Sequence, residues 1–224
     1  MATEKKSQDS LKTIETSMTK IEMFIEKNKK VLIYTIGALI VLIGGFIVYK
    51  NLVAEPRNVK AQDSMWRAQR QFAMDSFAVA LNGNESIVGF AEIADEYSGT
   101  ATGNLAKYYA GISSLRIGEY EQALDYLGKY KSDDEITTTL AIGAMGDAHS
   151  ELGNLDKAVD LYIKAANKIN HAALSPRFLM KAGGIYEKLG KKDKALAAYN
   201  EIKTKFSSAP EAEQIEKYII RVQQ

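Results

Sequence analysis

Three stretches of the chain align without a gap: RIGEYEQALDYL (116–127), ELGNLDKAVDLY (151–162) and KLGKKDKALAAY (188–199). Gly118, Gly153 and Gly190 coincide, as do Ala123, Ala158 and Ala195, and each glycine has another seven residues upstream, at Gly111, Gly146 and Gly183. The periods are 35 and 37 residues. Self-similarity of this length means helical hairpins that cannot bury their apolar faces alone and must stack on one another. The pattern predicts an all-α solenoid from Asn104 onward.

The residues of each unit resemble the tetratricopeptide repeat. That repeat has a small residue where its two helices cross, Gly in the turn, Ala where the second helix packs on the first, then an aromatic and another Ala. Gly111, Gly118 and Ala123 fill these places in the first clear unit. Gly146, Gly153, Ala158, Tyr162 and Ala165 fill them in the second, and Gly183, Gly190, Ala195 and Tyr199 in the third. The departures are an absent Trp near each repeat start, Leu127, Tyr130 and Ile202 at consensus places, and no closing Pro where one is expected. A degenerate fourth unit is predicted in front, because IADEYSGTATGNLAKY (93–108) parallels IKTKFSSAPEAEQIEKY (202–218). A helix at about 211–222, with one polar and one apolar face, is expected to cap the stack.

The second constraint is VLIYTIGALIVLIGGFIVY (31–49), nineteen residues without a charge, Pro, Asn or Gln. As a helix it spans about 28 Å, close to a bilayer's hydrocarbon core. It reads as an uncleaved signal anchor: the charged leader is long, and Leu52-Val53-Ala54 is a poor cleavage site. Lysines and arginines within about twenty residues number five on each side, so the positive-inside rule is nearly silent; within ten residues it is three against two, a lean to a cytoplasmic tail. In the tail, Leu11, Ile14, Met18, Ile21 and Ile25 form an amphipathic helical stripe, which rests on the membrane, extends the anchor or docks on a partner. Pro56 is expected to break the chain, and a long helix to run from about Arg57 to Leu81.

The expected organisation is therefore all-α: a tail with an amphipathic helix (1–30), a single transmembrane helix (31–49), a linker helix with the degenerate repeat (50–103), three repeats (104–138, 139–175, 176–209) and a capping helix (210–224). Residues 50–224 hold 22 basic and 23 acidic side chains, which argues against nucleic acid. There is no Cys and there are only two histidines, so thiol chemistry is excluded and a transition-metal site is not expected. His149 reads as a packing residue, and Asp133-Asp134-Glu135 as a solvated turn. No phosphate loop or nucleophile elbow occurs. The sequence predicts no catalytic residue, no metal and no cofactor.

What a helical solenoid offers is a concave face. Alignment to the repeat places Tyr108, Ile112, Leu115 and Arg116 there from the first unit. Asp147, Ser150 and Glu151 come from the second, and Arg177, Met180, Glu187 and Lys188 from the third. Mixed apolar and charged groups suit a peptide or a partner's segment; the alternative is that some of them pack against the degenerate unit. Chaperone-tail repeats clamp a terminal carboxylate with Lys and Asn, and here Tyr108 and Ile112 stand in those places. In the anchor, Gly37, Ala38, Gly44 and Gly45 make a smooth face on which another membrane helix can pack.

Short tail, single anchor and external repeats together resemble the YfgM family, and FIEKNKKVLIYTIGALIVLIGGFIVYKNLVAEPRNVKAQDSMWRAQ (24–69) looks like its Bacteroidetes form. The resemblance implies a bacterial inner-membrane protein with a periplasmic domain. It also implies a non-enzymatic accessory role at the SecYEG translocon beside a PpiD-like chaperone. The alternatives are a cell-envelope assembly scaffold and an organelle-surface receptor with cytosolic repeats.

Overall fold

A computed structural model describes the backbone of residues 2–224 and the side chains of residues 23–53 and 55–224. The chain divides into two compact units, one ending at Pro56 and the other beginning at Arg57.

In the first unit, helix α1 (Ala2–Tyr49) carries both the tail segment and the apolar run. The Leu11 to Ile21 part of the predicted stripe lies outside the described side chains; Ile25 is exposed. Apart from Leu32, every residue of 31–49 is exposed, and the helix is long and apolar enough to cross a membrane. Thr35 is satisfied within its own helix, donating its hydroxyl to the Val31 carbonyl at 2.7 Å. Pro56 does not break the chain as expected. A π-helical turn (Lys50–Ala54) runs into α2 (Glu55–Ala73), and Pro56 sits in the first turn of α2. A ring without an N–H is tolerated in a first turn.

The long helix expected to reach Leu81 stops at Ala73. Asp75 takes a left-handed φ of 56°. The Ser76 N–H returns to the Gln71 carbonyl and the Asp75 N–H to that of Phe72, at 3.0 Å each. This is a Schellman stop with Asp where glycine is usual, so the sequence signal was weak. Helix α3 (Phe77–Asn82) and helix α4 (Phe90–Glu96) follow. They bury Leu81, Phe90 and Ile93 against Ala61, Met65 and Ala68 of α2.

Three hairpins continue the stack: α5 (Ala101–Arg116) with α6 (Tyr120–Lys129), α7 (Glu135–Glu151) with α8 (Leu155–Lys168), and α9 (Ser175–Lys188) with α10 (Lys192–Lys205). Their turns are built on the predicted glycines: Gly118, Gly153 and Gly190 have φ of 87°, 75° and 68°, where a Cβ would be strained. The crossing glycines are equally specific. A Cβ on Gly111 would meet Leu127 at 2.5 Å, on Gly146 Tyr162 at 2.7 Å, and on Gly183 Tyr199 at 2.3 Å. Ala123, Ala158 and Ala195 are fully buried where the second helix lies on the first.

The first helices of these hairpins begin at Ala101, Glu135 and Ser175, ahead of the repeat starts at 104, 139 and 176. For α5 and α7 side-chain caps set the start. Thr100 accepts from the Gly103 N–H at 2.9 Å and Asp134 from the Thr137 N–H at 2.7 Å. The acidic run at 133–135 thus holds a helix cap, and the hydrogen bond from the Thr137 backbone keeps the Asp134 carboxyl below the usual carboxylate range.

Tyr97 and Phe206 occupy equivalent places at the ends of α4 and α10, both buried. The last segment begins as a 3-10 turn (Pro210–Gln214) and becomes helix α11 (Ile215–Gln223). Ile215, Ile219 and Val222 close the core.

Candidate functional site

Helices α5, α7 and α9 line two adjoining grooves. The larger, of about 550 Å³, holds Ser150, Glu151, Met180 and Lys188 of the residues singled out by sequence. The smaller, of about 220 Å³, holds Tyr108, Ile112 and Arg177. Leu115, Arg116 and Asp147 line both. Residues from three repeats, up to 80 positions apart in the chain, are therefore brought to one surface because the helices carrying them stack side by side.

Glu187 is the exception. It lines neither groove and instead holds the end of the stack. Arg221 of α11 grips its carboxylate with two parallel bonds, Nε to Oε2 at 2.9 Å and a terminal nitrogen to Oε1 at 2.6 Å, and the Tyr199 hydroxyl donates to Oε1 at 2.5 Å. Such a fork is the strong form of an ion pair.

Lys181, Tyr120 and Tyr162 were missed, and all three line the larger groove. Tyr162 comes from the second helix of its hairpin and reaches the groove only because Gly146 leaves room for its ring. Its hydroxyl donates to Asp147 Oδ1 at 2.6 Å, and Lys181 Nζ donates to the same oxygen at 2.5 Å while lying 5.4 Å from the tyrosine ring centre. Burial, reinforced by Asp147, pushes the Tyr162 phenol far above its ordinary range, so it stays a donor. A signal for Lys181 did exist: Arg177, Lys181, Gly184 and Lys188 follow each other by four, three and four residues, one helical face.

Part of the predicted surface also packs inward. The Arg116 guanidinium lies 4.8 Å from the centre of the Phe77 ring, and Tyr108 contacts Tyr109 and Tyr130, with centroids 5.6 and 5.3 Å away. His149 lies on α7 outside both groove linings; burial, then Lys157, holds its pKa below the usual imidazole value. Among the described residues no group of three or more His, Cys, Asp or Glu is placed to hold a metal.

The Glu187 fork has a pH signature. Chiefly through Arg221, its carboxyl is held below the usual glutamate range. A depressed acid contributes above its unfolded pKa, about 4.3, and loses that contribution as pH falls through the folded value. Denaturant unfolding should therefore show Glu187→Gln less stable than the parent at pH 7, with the gap closing below about pH 4. A gap unchanged at pH 3 would mean that the fork contributes nothing.

The tetratricopeptide repeat family matches the chain twice, over residues 141–167 and 178–209. These segments are the α7–α8 and α9–α10 hairpins. No curated protein matches the chain. The chain contains tetratricopeptide repeats, which are modules of protein–protein interaction.

Proposed function

We propose that this chain is a single-pass bacterial inner-membrane protein that carries its repeat domain in the periplasm. In this reading it serves, without catalysis, as an accessory of the Sec translocon. Its partners are translocon subunits, a PpiD-like chaperone or emerging clients, as the likeness to the YfgM family implies. The observation that carries a binding role is the groove across α5, α7 and α9. Leu115, Met180 and Ile185 give it apolar area, and Arg116, Glu151 and Lys188 give it charge. Anchors of this mixed kind, a buried apolar centre with a polar rim, are what binding surfaces use.

The anchor is part of the proposal. A Cβ at Gly37, Gly44 or Gly45 would meet no atom within 4 Å, so that face is open to a neighbouring membrane helix. Together with Ala38 these residues would let such a helix approach closely, and packing of that kind drives association in lipid. Replacing 31–49 with polyleucine is expected to keep the protein in the membrane and to weaken copurification with its partners.

A photo-crosslinking amino acid at Met180, introduced into the full chain in cells, should form adducts with translocon subunits or the chaperone. Protease added to spheroplasts should digest the chain beyond Lys50 and spare the tail. Repeats protected until the membrane is lysed would overturn the periplasmic placement. Adducts confined to outer-membrane or cell-wall machinery would replace the translocon role with an envelope-assembly one.

A further inference from the structure

The groove is not charged like the domain that carries it. Residues 50–224 are nearly neutral, yet the two groove linings hold four cations, Arg116, Arg177, Lys181 and Lys188, against two carboxylates, Asp147 and Glu151. Asp147 is already occupied by Lys181 and Tyr162. Among the described residues Glu151 has only the Tyr120 hydroxyl, at 3.5 Å. Arg116, Arg177 and Lys188 pair with no carboxylate among the described residues. Between the cations lies the smaller cavity, walled by Ile112, Leu140 and Phe178, with room for one large apolar side chain.

The geometry points to a partner segment that is acidic on both sides of one large apolar residue. The apolar residue enters the smaller cavity, and flanking carboxylates meet Arg177 at one end and Arg116 and Lys188, which line the larger groove together, at the other. Arg116 is suited to this: its stacking on Phe77 orders the guanidinium, and its edge still offers the paired donors that match a carboxylate. The cations do not converge on one point. Arg177 and Lys188 are eleven residues apart on α9, about 16 Å, the span of about five residues of extended chain. That spread fits side-chain carboxylates along a segment, and not a single chain terminus. The inference rests on the groove being a protein-binding site and adds the chemistry of what it binds.

The test uses the full-length chain in detergent micelles and fluorescent, C-terminally amidated peptides read by anisotropy. One peptide has two Glu on each side of a Phe; the others replace Glu by Gln, Glu by Lys, or Phe by Ser. The Glu peptide should bind at least about tenfold tighter than the Gln peptide, the scale of one good charged contact. It should weaken with added salt and lose affinity about tenfold again when Phe becomes Ser. In Arg177→Glu, an exposed position, the preference between the Glu and Lys peptides should shrink or invert. Equal binding of the Glu and Gln peptides, or tighter binding of the Lys peptide, overturns the inference. If that happens while Met180 still crosslinks to translocon partners, only the acidic specificity falls. If no peptide binds and no adduct forms, the binding role of the groove falls with it.

Discussion

Gly183→Leu should destabilise the repeat domain more than any surface substitution. The Cβ alone would sit 2.3 Å from Cε1 of Tyr199, closer than any real contact, and three further carbons follow. Tyr199 cannot step aside: its ring is fully buried and its hydroxyl is tied to Glu187. Overpacking of this kind costs about 1–3 kcal/mol and more where the neighbour is fixed. For a domain of this size that is a fall in Tm of roughly 2–4 °C per kcal/mol. Gly146→Leu should cost a similar amount, because its Cβ meets Tyr162 at 2.7 Å and that ring is also buried and tied by its hydroxyl to Asp147. The control is Lys164→Leu on the exposed side of α8. A loss at Gly183 no greater than at Lys164 would mean that the helices of the third hairpin do not cross at that glycine.

Phe90→Ala should be comparably damaging, at the other end of the stack. Phe90 is fully buried, stacked on Tyr109 at 5.1 Å and edge-on to Phe72 at 6.2 Å. Emptying such a site costs about 3–5 kcal/mol, and the surrounding aromatic cluster cannot collapse into the gap without unstacking. In a solenoid each repeat contacts only its neighbours, so the damage should stay local. Hydrogen exchange should accelerate across α2 to α5 and change little in α9 to α11, while Phe90→Leu should be milder in both regions. Equal acceleration along the whole domain would show one cooperative unit in place of semi-independent repeats.

These two sites differ in how legible they were. The crossing glycines and their partners Leu127, Tyr162 and Tyr199 sit sixteen residues apart in every hairpin, and a repeated spacing shows in the sequence. The turn glycines are as plain, because a left-handed residue after a helix has few chemical solutions. The same locality hid the end of α2. There the chain stops with Asp75 in the left-handed position, and Asp carries no such signature. The Phe72, Phe90 and Tyr109 cluster was not read from the sequence either, since its members lie on three helices and follow no period.

The candidate groove divides the same way. Which residues face it follows from repeat position, so all the predicted residues but Glu187 lie along the two linings. What those residues do there depends on neighbours from other repeats. Asp147 is neutralised by Lys181, 34 positions on, and Glu187 is claimed by Arg221, also 34 positions on. The sequence by itself determined the three repeat hairpins, their turns, their crossing points and the apolar span, because each is settled by residues within a single hairpin or a single segment. Only the stacking of one hairpin on the next decided which charges cancel and which stay free. Coulomb and hydrogen-bond energies fall steeply with distance, and distance across a repeat interface is not written in either sequence alone.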